Sequence, residues 1–368
     1  MNNVLLPSVS RARITSLDAL RAFTLLGILI VHAFNGFGFK YCSPQSTLDF
    51  LIVKFNDLFL VNKCNTIFAV LFGVSFYLIL RNPKNSSAKF VWRCFLLLLI
   101  GLFNKLIYSF DILMWYGFWG MVLVLFRNVK PKWLLASSVA LIIIAIIFAK
   151  FKFGDMLFGP VLVRRYRVEE SFLDILTYPD AVKDNLRGLL NSDGFKAFAC
   201  FLIGYCIAKV GFIEHLQERM TRRIVLITWM LFAALFAADF VLQKHGINDL
   251  RRFTNYAGSA AYASAFIYAY YHFKSCNRIL RYFEPYGKLG LTNYSVGGIC
   301  GVIFINEFGL GLYRYPLPFI LLFFIGFFLV QAVFSYYWLR YFTYGPMEYV
   351  WRVATERKPI PFRRKSLV

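Results

Sequence analysis

The chain has 368 residues, of which 59% are apolar and only 16% charged, against roughly 25% charged in soluble domains. That balance, with 42 Phe, excludes a soluble fold, a disordered chain and a coiled coil. The net charge of +22 has no basic soluble domain to sit on, which excludes nucleic-acid binding and assigns the Lys and Arg residues to headgroup regions beside apolar runs.

The composition specifies an all-α polytopic membrane helix bundle, read as one domain over residues 1–368. A transmembrane helix needs about 20 mostly apolar residues. Ten segments qualify in chain order: 17–39, 66–80, 90–108, 112–126, 133–149, 195–210, 224–242, 256–273, 289–306 and 319–339. The first carries Arg21 and His32, runs to Phe39 and lacks a small-residue cleavage site, so it is expected to be retained rather than cleaved as a leader. The second and fourth are short. Residues 40–63 and 150–194 are expected as outer loops, and the latter contains Arg164-Arg165-Tyr166-Arg167-Val168-Glu169-Glu170, expected in short amphipathic helices on the outer face. With the N-terminus inside, inner segments hold 24 Lys and Arg and outer segments 15, or 8 without the loop at 150–194. Both termini, including a C-terminal interfacial tail at 340–368, are therefore expected to be cytoplasmic.

The first segment carries the most informative cluster. Arg21 and His32 are eleven residues apart, close to three helical turns, so they share a face about 16 Å apart along the axis. Asp18 lies one turn before Arg21 and Asn35 one turn after His32. Lipid does not tolerate such a polar stripe, so it must face the bundle or a water-filled cavity. Arg21 offers a planar fork suited to phosphate, and His32 an imidazole suited to taking a proton from a hydroxyl or amine. The plainer reading pairs Arg21 with Asp18 and makes His32 an interhelical hydrogen-bonder.

Later clusters carry the same double reading. Asn104 is followed by Asp111-Ile112-Leu113, where Asp111 either caps the fourth span or orients a neighbouring group. Lys288 is an inner-side cation at the start of the ninth span, and Asn293 is interhelical glue or a substrate contact. The small residues at 257–265 and the Gly297-x-x-x-Gly301 pattern are packing signals. Cys42 and Cys64 share an expected outer loop, but nothing in the spacing demands a pair. The run at 338–352, rich in aromatics and Arg, reads as an interfacial anchor around a Gly345-Pro346 turn. There is no metal pattern such as C-x-x-C or H-E-x-x-H, no P-loop and no G-x-S-x-G, so neither a metal nor a tightly bound cofactor is expected.

Several of these motifs resemble the YeiB-like bacterial membrane family over nearly the whole chain. They are Ser16-Leu17-Asp18-Ala19-Leu20-Arg21 with Leu25 to Leu29, Phe68 to Gly73, Asp111-Ile112-Leu113, Leu291-Thr292-Asn293-Tyr294, and Trp338 through Arg352 around Gly345-Pro346-Met347-Glu348. That family is similar to the wider transmembrane acyltransferase superfamily, which includes envelope O-acyltransferases and the lysosomal heparan glucosaminide N-acetyltransferase. The resemblance implies an enzyme of the bacterial plasma (inner) membrane, with acetyl-CoA or another acyl-CoA as co-substrate and an envelope glycan or glycolipid as acceptor. Arg21 and His32 match the Arg-x10-His signature of the O-acyltransferases. Arg21, with Lys288, would then hold donor phosphate, His32 would be the general base, and Asp18 would position Arg21. Asn35, Asn104, Asp111 and Asn293 would line the acceptor side. The chain departs from the usual YeiB-like pattern by His32 in place of Asn, Asn104 in place of His, and Lys288 in place of Arg. A membrane transporter or lipid flippase is the rival reading, since buried polar groups serve transport equally well. Partners read from the chain are the bilayer, the acceptor and, as an option left open, further copies of itself.

Overall fold

In the computed structural model, residues 14–35, 37, 46–82, 85–108, 111–151, 189, 192–245 and 250–364 are described. Among them there is no strand, only an isolated bridge between Phe342 and Arg363. The helices are α1 (Thr15–Asn35), α2 (Thr47–Phe55), α3 (Lys63–Leu80), α4 (Ser87–Ile107), α5 (Leu113–Leu123), α6 (Pro131–Lys150), α7 (Ser192–Lys209), α8 (Arg222–Lys244), α9 (Arg251–His272), α10 (Lys274–Arg281), α11 (Glu284–Lys288), α12 (Gly290–Ile305), α13 (Leu317–Tyr341) and α14 (Pro346–Glu356). Each of the ten apolar segments falls on one of these helices. Six stretches are long and apolar enough to cross a membrane: α1, α2 running on into α3, α4, α6, α8 and α13. The chain is thus a multi-pass integral membrane protein. α5 and α12 are apolar but shorter.

Local sequence explains the helix starts. Ser86 accepts the Lys89 amide to open α4, and Thr221 accepts that of Ile224 to open α8. Pro131 stands in the first turn of α6, where its missing N–H costs nothing. Residues 40–63, expected as loop, contain α2 and a π-helical turn, Asn56–Leu60, leading into α3. The signal was a capping box. The Ser46 hydroxyl accepts from Asp49 N at 3.1 Å, and the Asp49 carboxylate accepts from Ser46 N at 3.2 Å. The second span is correspondingly longer than expected. The expected outer loop at 150–194 narrows at both ends, because α6 runs through Lys150 and α7 begins at Ser192. Its Arg164–Glu170 run lies outside the described residues, as does Cys42; the Cys64 thiol is free.

Burial ranks the helices. In its apolar window α1 is 72% buried, while α6 and α8 are only 17% and 11% buried. The helix with the polar stripe is therefore at the centre, and α6 and the apolar window of α8 are the least covered by protein. α1 packs against α3, α9, α11, α12 and α13. Contacts sort the helix ends into two faces. At one face the start of α1 meets the end of α9, through Thr15 with Tyr270 (2.8 Å) and Ser16 with Tyr271 (2.9 Å). There too Arg21 meets Ser75 near the end of α3, and Trp351 of α14 donates to the Arg93 carbonyl near the start of α4. At the opposite end the close of α1 meets the close of α4 and the middle of α12.

Close approach is needed where α3 crosses α7. A Cβ at Gly73 would collide with the Phe201 carbonyl, and one at Gly204 with the Val70 carbonyl. Gly326 on α13, by contrast, has nothing within 4 Å. Gly204→Val should destabilise the protein by about 3 kcal/mol or more, because backbone must move, whereas Gly326→Val should stay within about 0.5 kcal/mol. Thermal melts of the two variants in detergent test this; equal melting would mean the crossing is not tight.

A cationic cavity joined to a buried polar cluster

The first turn of α1 fixes Arg21. Asp18, buried, accepts from Arg21 Nη1 at 2.7 Å, and Arg21 Nη2 donates to Ser75 Oγ at 3.3 Å. Gly287 of α11 lies directly on the Asp18 carbonyl, a contact that leaves no room for a side chain. The pair is thereby held between α1, α3 and α11, one turn in from the face where α1 starts.

Arg21 lines a cavity of about 260 Å³. Three further cations line it: Arg93 of α4, Lys288 of α11 and Arg352 of α14. Arg93 stacks on Trp351 with its guanidinium 4.5 Å from the ring centre, and Arg352 stacks likewise on Tyr344 at 4.5 Å. The Arg93 Nε is buried without a hydrogen-bond partner among the described residues. Glu348 is the carboxylate in the wall. It accepts from Leu291 N (2.8 Å), Thr292 N (3.1 Å) and Thr292 Oγ1 (2.5 Å), so it caps the start of α12. Enclosure between α12 and α14 pushes its carboxyl above the usual glutamate range, against the hydrogen bonds that favour the charge. Deeper in, the lining turns apolar and aromatic, with Phe72, Leu97, Leu113, Tyr116 and Tyr294. The cavity thus has a cationic part and an apolar part, the pattern that suits a phosphate-bearing molecule with an apolar end.

Tyr294 belongs to two sites. Its ring lines the cavity, and the same ring lies 6.2 Å from that of His32. His32 is buried at 6% exposure, with Phe37 (5.9 Å) and Tyr108 (6.0 Å) completing an aromatic cage. Among the described residues its ring has these contacts rather than a hydrogen-bond partner. Gly298 leaves the room that the Tyr108 ring occupies against α12. The Tyr108 hydroxyl donates to Asp111 Oδ2 at 2.9 Å, and Asn104 donates to the same oxygen at 3.1 Å and to Ser295 Oγ at 3.2 Å. The other Asp111 oxygen accepts from Leu113 N and Met114 N at 2.8 and 3.2 Å. Asp111 therefore caps α5 and ties α5 to α4 at once. The Asn104 Oδ1 is buried and has no hydrogen-bond partner among the described residues. Lys105, also buried, sits over Trp115 at 5.1 Å.

The sequence candidates therefore fall into groups. Asp18, Arg21 and Lys288 gather at the cationic cavity. His32, Asn104 and Asp111 gather at the far end, linked to the cavity through Tyr294. Asn35 ends α1, and its side chain lies outside the described residues. Asn293 stands apart: it donates to the Tyr286 carbonyl (3.0 Å) and Ser335 Oγ (2.9 Å), a link between α12, α11 and α13 that does not line the cavity. Sequence reading passed over Arg93, Tyr108, Tyr294, Glu348 and Arg352. Tyr294, Glu348 and Arg352 stand within the motifs of the family resemblance, and the last two also within the run that reads as an anchor, without a site role assigned to them. Folding that run back over α4 brings them inward, with Trp92 Nε1 donating to the Ala354 carbonyl at 3.0 Å and Lys89 paired to Glu356 at 2.6 Å.

Tyr108→Phe keeps the ring but leaves Asp111 one donor short. It should destabilise the protein by about 1–3 kcal/mol, and Asp111→Ala should cost more because the first turn of α5 also loses its acceptor. Thermal denaturation in detergent checks the order; a harmless Asp111→Ala would mean the cluster is not satisfied as described.

The chain matches two family models, each over less than half its length. Residues 13–176 match the catalytic model of heparan-alpha-glucosaminide N-acetyltransferase, and residues 207–358 match a protein family of unknown function (DUF418). The cavity draws on both stretches: Arg21, Arg93 and Tyr116 from the first, Lys288, Tyr294, Glu348 and Arg352 from the second. Among similar proteins, the uncharacterized protein YxaH of Bacillus subtilis is 28% identical, with 98% of this chain and 99% of that protein aligned. The uncharacterized protein YeiB of Escherichia coli is 26% identical over 96% and 99% of the two chains. An uncharacterized 39.9 kDa protein of Bacillus acidopullulyticus is 24% identical over 96% and 97%. No solved structure matches. Over nearly its full length the chain is thus similar to YeiB and its relatives, and it matches the acetyltransferase catalytic model and the DUF418 model in order along the sequence.

Proposed function

We propose that the protein is an acyl-CoA-dependent transmembrane acyltransferase that modifies a hydroxyl or amine of an envelope glycan or glycolipid. The observation that carries this reading is the amphipathic cavity, cationic around Arg21 and apolar toward Tyr294, with His32 behind that tyrosine. The match of residues 13–176 to an acetyltransferase catalytic model supports it independently. Four cations suit a donor carrying several phosphates. At about 260 Å³ the cavity is smaller than the roughly 300–1,000 Å³ typical of a drug-sized ligand, so the nucleotide end of the donor stays at the mouth and the acyl end points inward.

The chemistry divides along α1. Asp18 holds the Arg21 fork toward the donor phosphate. His32 takes the proton of the acceptor hydroxyl or amine. The acceptor oxygen or nitrogen attacks the thioester carbonyl, the carbon–sulfur bond breaks, and the thiolate leaves and is protonated to the free thiol. Asp111, Tyr108 and Asn104 brace the helix ends around the acceptor. In this reading the chain crosses the plasma membrane ten times, with both termini in the cytoplasm where acyl-CoA is found. The Lys and Arg distribution supports that orientation.

The test is acetyl-CoA binding to the protein in lipid nanodiscs, followed by acyl transfer to a panel of glycans. Arg21→Ala should weaken binding by about tenfold or more, as expected for a charge-assisted contact worth about 1.5–3 kcal/mol. His32→Ala should keep binding and lose transfer. If neither acetyl-CoA nor a longer acyl-CoA binds, the acyltransferase reading is wrong and substrate flux in liposomes becomes the question. The cavity also predicts a pH effect. Because the carboxyl of Glu348 is raised, it is neutralised at a higher pH than an ordinary glutamate, and the four cations then face less countercharge. Donor affinity should rise as pH falls through that range. The same sign holds for stability: the contribution of this group is present at acid pH and lost as pH rises through its raised value. Glu348→Gln should flatten the pH dependence of donor binding, as read by calorimetry across the acid range.

A further inference from the structure

We propose that a second cleft, formed by α10, the end of α9 and α13, binds a phosphate-bearing headgroup. It has a volume of about 710 Å³ and shares no lining residue with the cavity around Arg21. Its chemistry follows from one short helix. Lys274, Asn277, Arg278 and Arg281 fall at successive i, i+3, i+4 and i+7 positions of α10, so they form one face, and all four line the cleft. Tyrosine hydroxyls supply the facing wall, from Tyr270 and Tyr271 at the end of α9 and from Tyr336 on α13. Arg340 reaches the Tyr336 hydroxyl at 2.8 Å from the rim. No carboxylate is among the lining residues, and Glu284 is engaged with the Tyr270 hydroxyl at 2.5 Å. Guanidinium forks beside an ammonium, with the Tyr336 hydroxyl that accepts from Arg340 and keeps its own proton, are a donor set that binds tetrahedral phosphate oxygens.

A second observation fixes the depth. Phe273, Ile279 and Tyr282, on and beside the same helix, are 53%, 59% and 59% exposed. Tyr282 lies at the cleft with the cations, while Phe273 and Ile279 point away from it, and a helix with cations on one side and exposed large apolar groups on the other lies flat at the level of the lipid headgroups. Basic pockets between helices at that level take anionic headgroups. The site is also joined to the first one. Thr15, which lines the cleft, is bonded to Tyr270 and stands one turn before Asp18 on α1. An occupied cleft therefore holds the start of the helix that carries Arg21.

The phosphate has two sources, a membrane lipid or a soluble phosphate compound, and the experiment separates them. In one arm, the protein is reconstituted in phosphatidylcholine nanodiscs with and without phosphatidylglycerol or cardiolipin, and retained lipid is read by native mass spectrometry. In the other, ADP or inorganic phosphate is titrated into phosphatidylcholine-only nanodiscs by calorimetry. The triple variant Lys274→Gln, Arg278→Gln, Arg281→Gln should lose binding by about a hundredfold in whichever arm binds, since each cation near the surface contributes about one kcal/mol. All three positions are exposed, so the variant should fold, and its melt in phosphatidylcholine provides the control. Tyr336→Phe should weaken the same binding several-fold through loss of one hydroxyl. Retention of an anionic lipid that the triple variant does not change, together with no binding of ADP or phosphate to either protein, overturns the proposal.

Discussion

An arginine inside an apolar helix must find its partners within the protein, and the Asp18–Arg21 pair does so in the first turn of α1. Much of the architecture follows from that requirement. Neither residue can face lipid, so α1 takes the centre and the helices without polar stripes take the rim. Ser75 of α3 supplies the second acceptor for the guanidinium, and α11 comes close enough that only glycine fits at residue 287. What remains exposed of the Arg21 side chain, 23%, points into the cavity. A part-buried ion pair of this kind is weak evidence for stability, because an apolar pair would fill the same space at no electrostatic cost.

The two ends of the polar stripe are served by different physics. Around Arg21 charges dominate, aromatic rings carry the guanidinium groups of Arg93 and Arg352, and one capping carboxylate balances them. Around His32 there are neutral groups: two tyrosines, a phenylalanine, and an amide network that spends the Asp111 carboxylate on helix amides and hydroxyls. Tyr294 belongs to both environments. The transfer reaction proposed above would use this contrast, with several negative charges held at one end and a neutral nucleophile at the other.

Much of the fold was legible in the sequence because a bilayer imposes a simple rule on it. Long apolar runs had to be helices, and the eleven-residue spacing alone puts Arg21 and His32 on one face. The site was legible only where one helix carried it. Arg93 drew no reading inside the third apolar segment, and Arg352 and Glu348 looked like an interfacial anchor, because nothing local says that α14 folds back across α4. Tyr108 and Tyr294 were hidden among 22 tyrosines. Asn293, the same residue type as Asn104 and on a comparably buried face, turned out to join helices rather than reach the cavity. Hydrogen-bonding capacity alone does not separate glue from site; the neighbours brought by tertiary packing do.

The return of α14 has one more consequence, in time rather than in space. The cavity takes Arg21 from α1 and Arg352 and Glu348 from α14, with the α12 start capped by that same Glu348. Segments made more than three hundred residues apart must meet before the four cations face one another. While the chain is being inserted, Arg21 has Asp18 beside it from the start, so the charge is shielded during the long interval when its other neighbours do not yet exist. The four cations come together only once α14 has been made and folded back across α4, and a chain that stops before it carries the Asp18–Arg21 pair without the completed cavity.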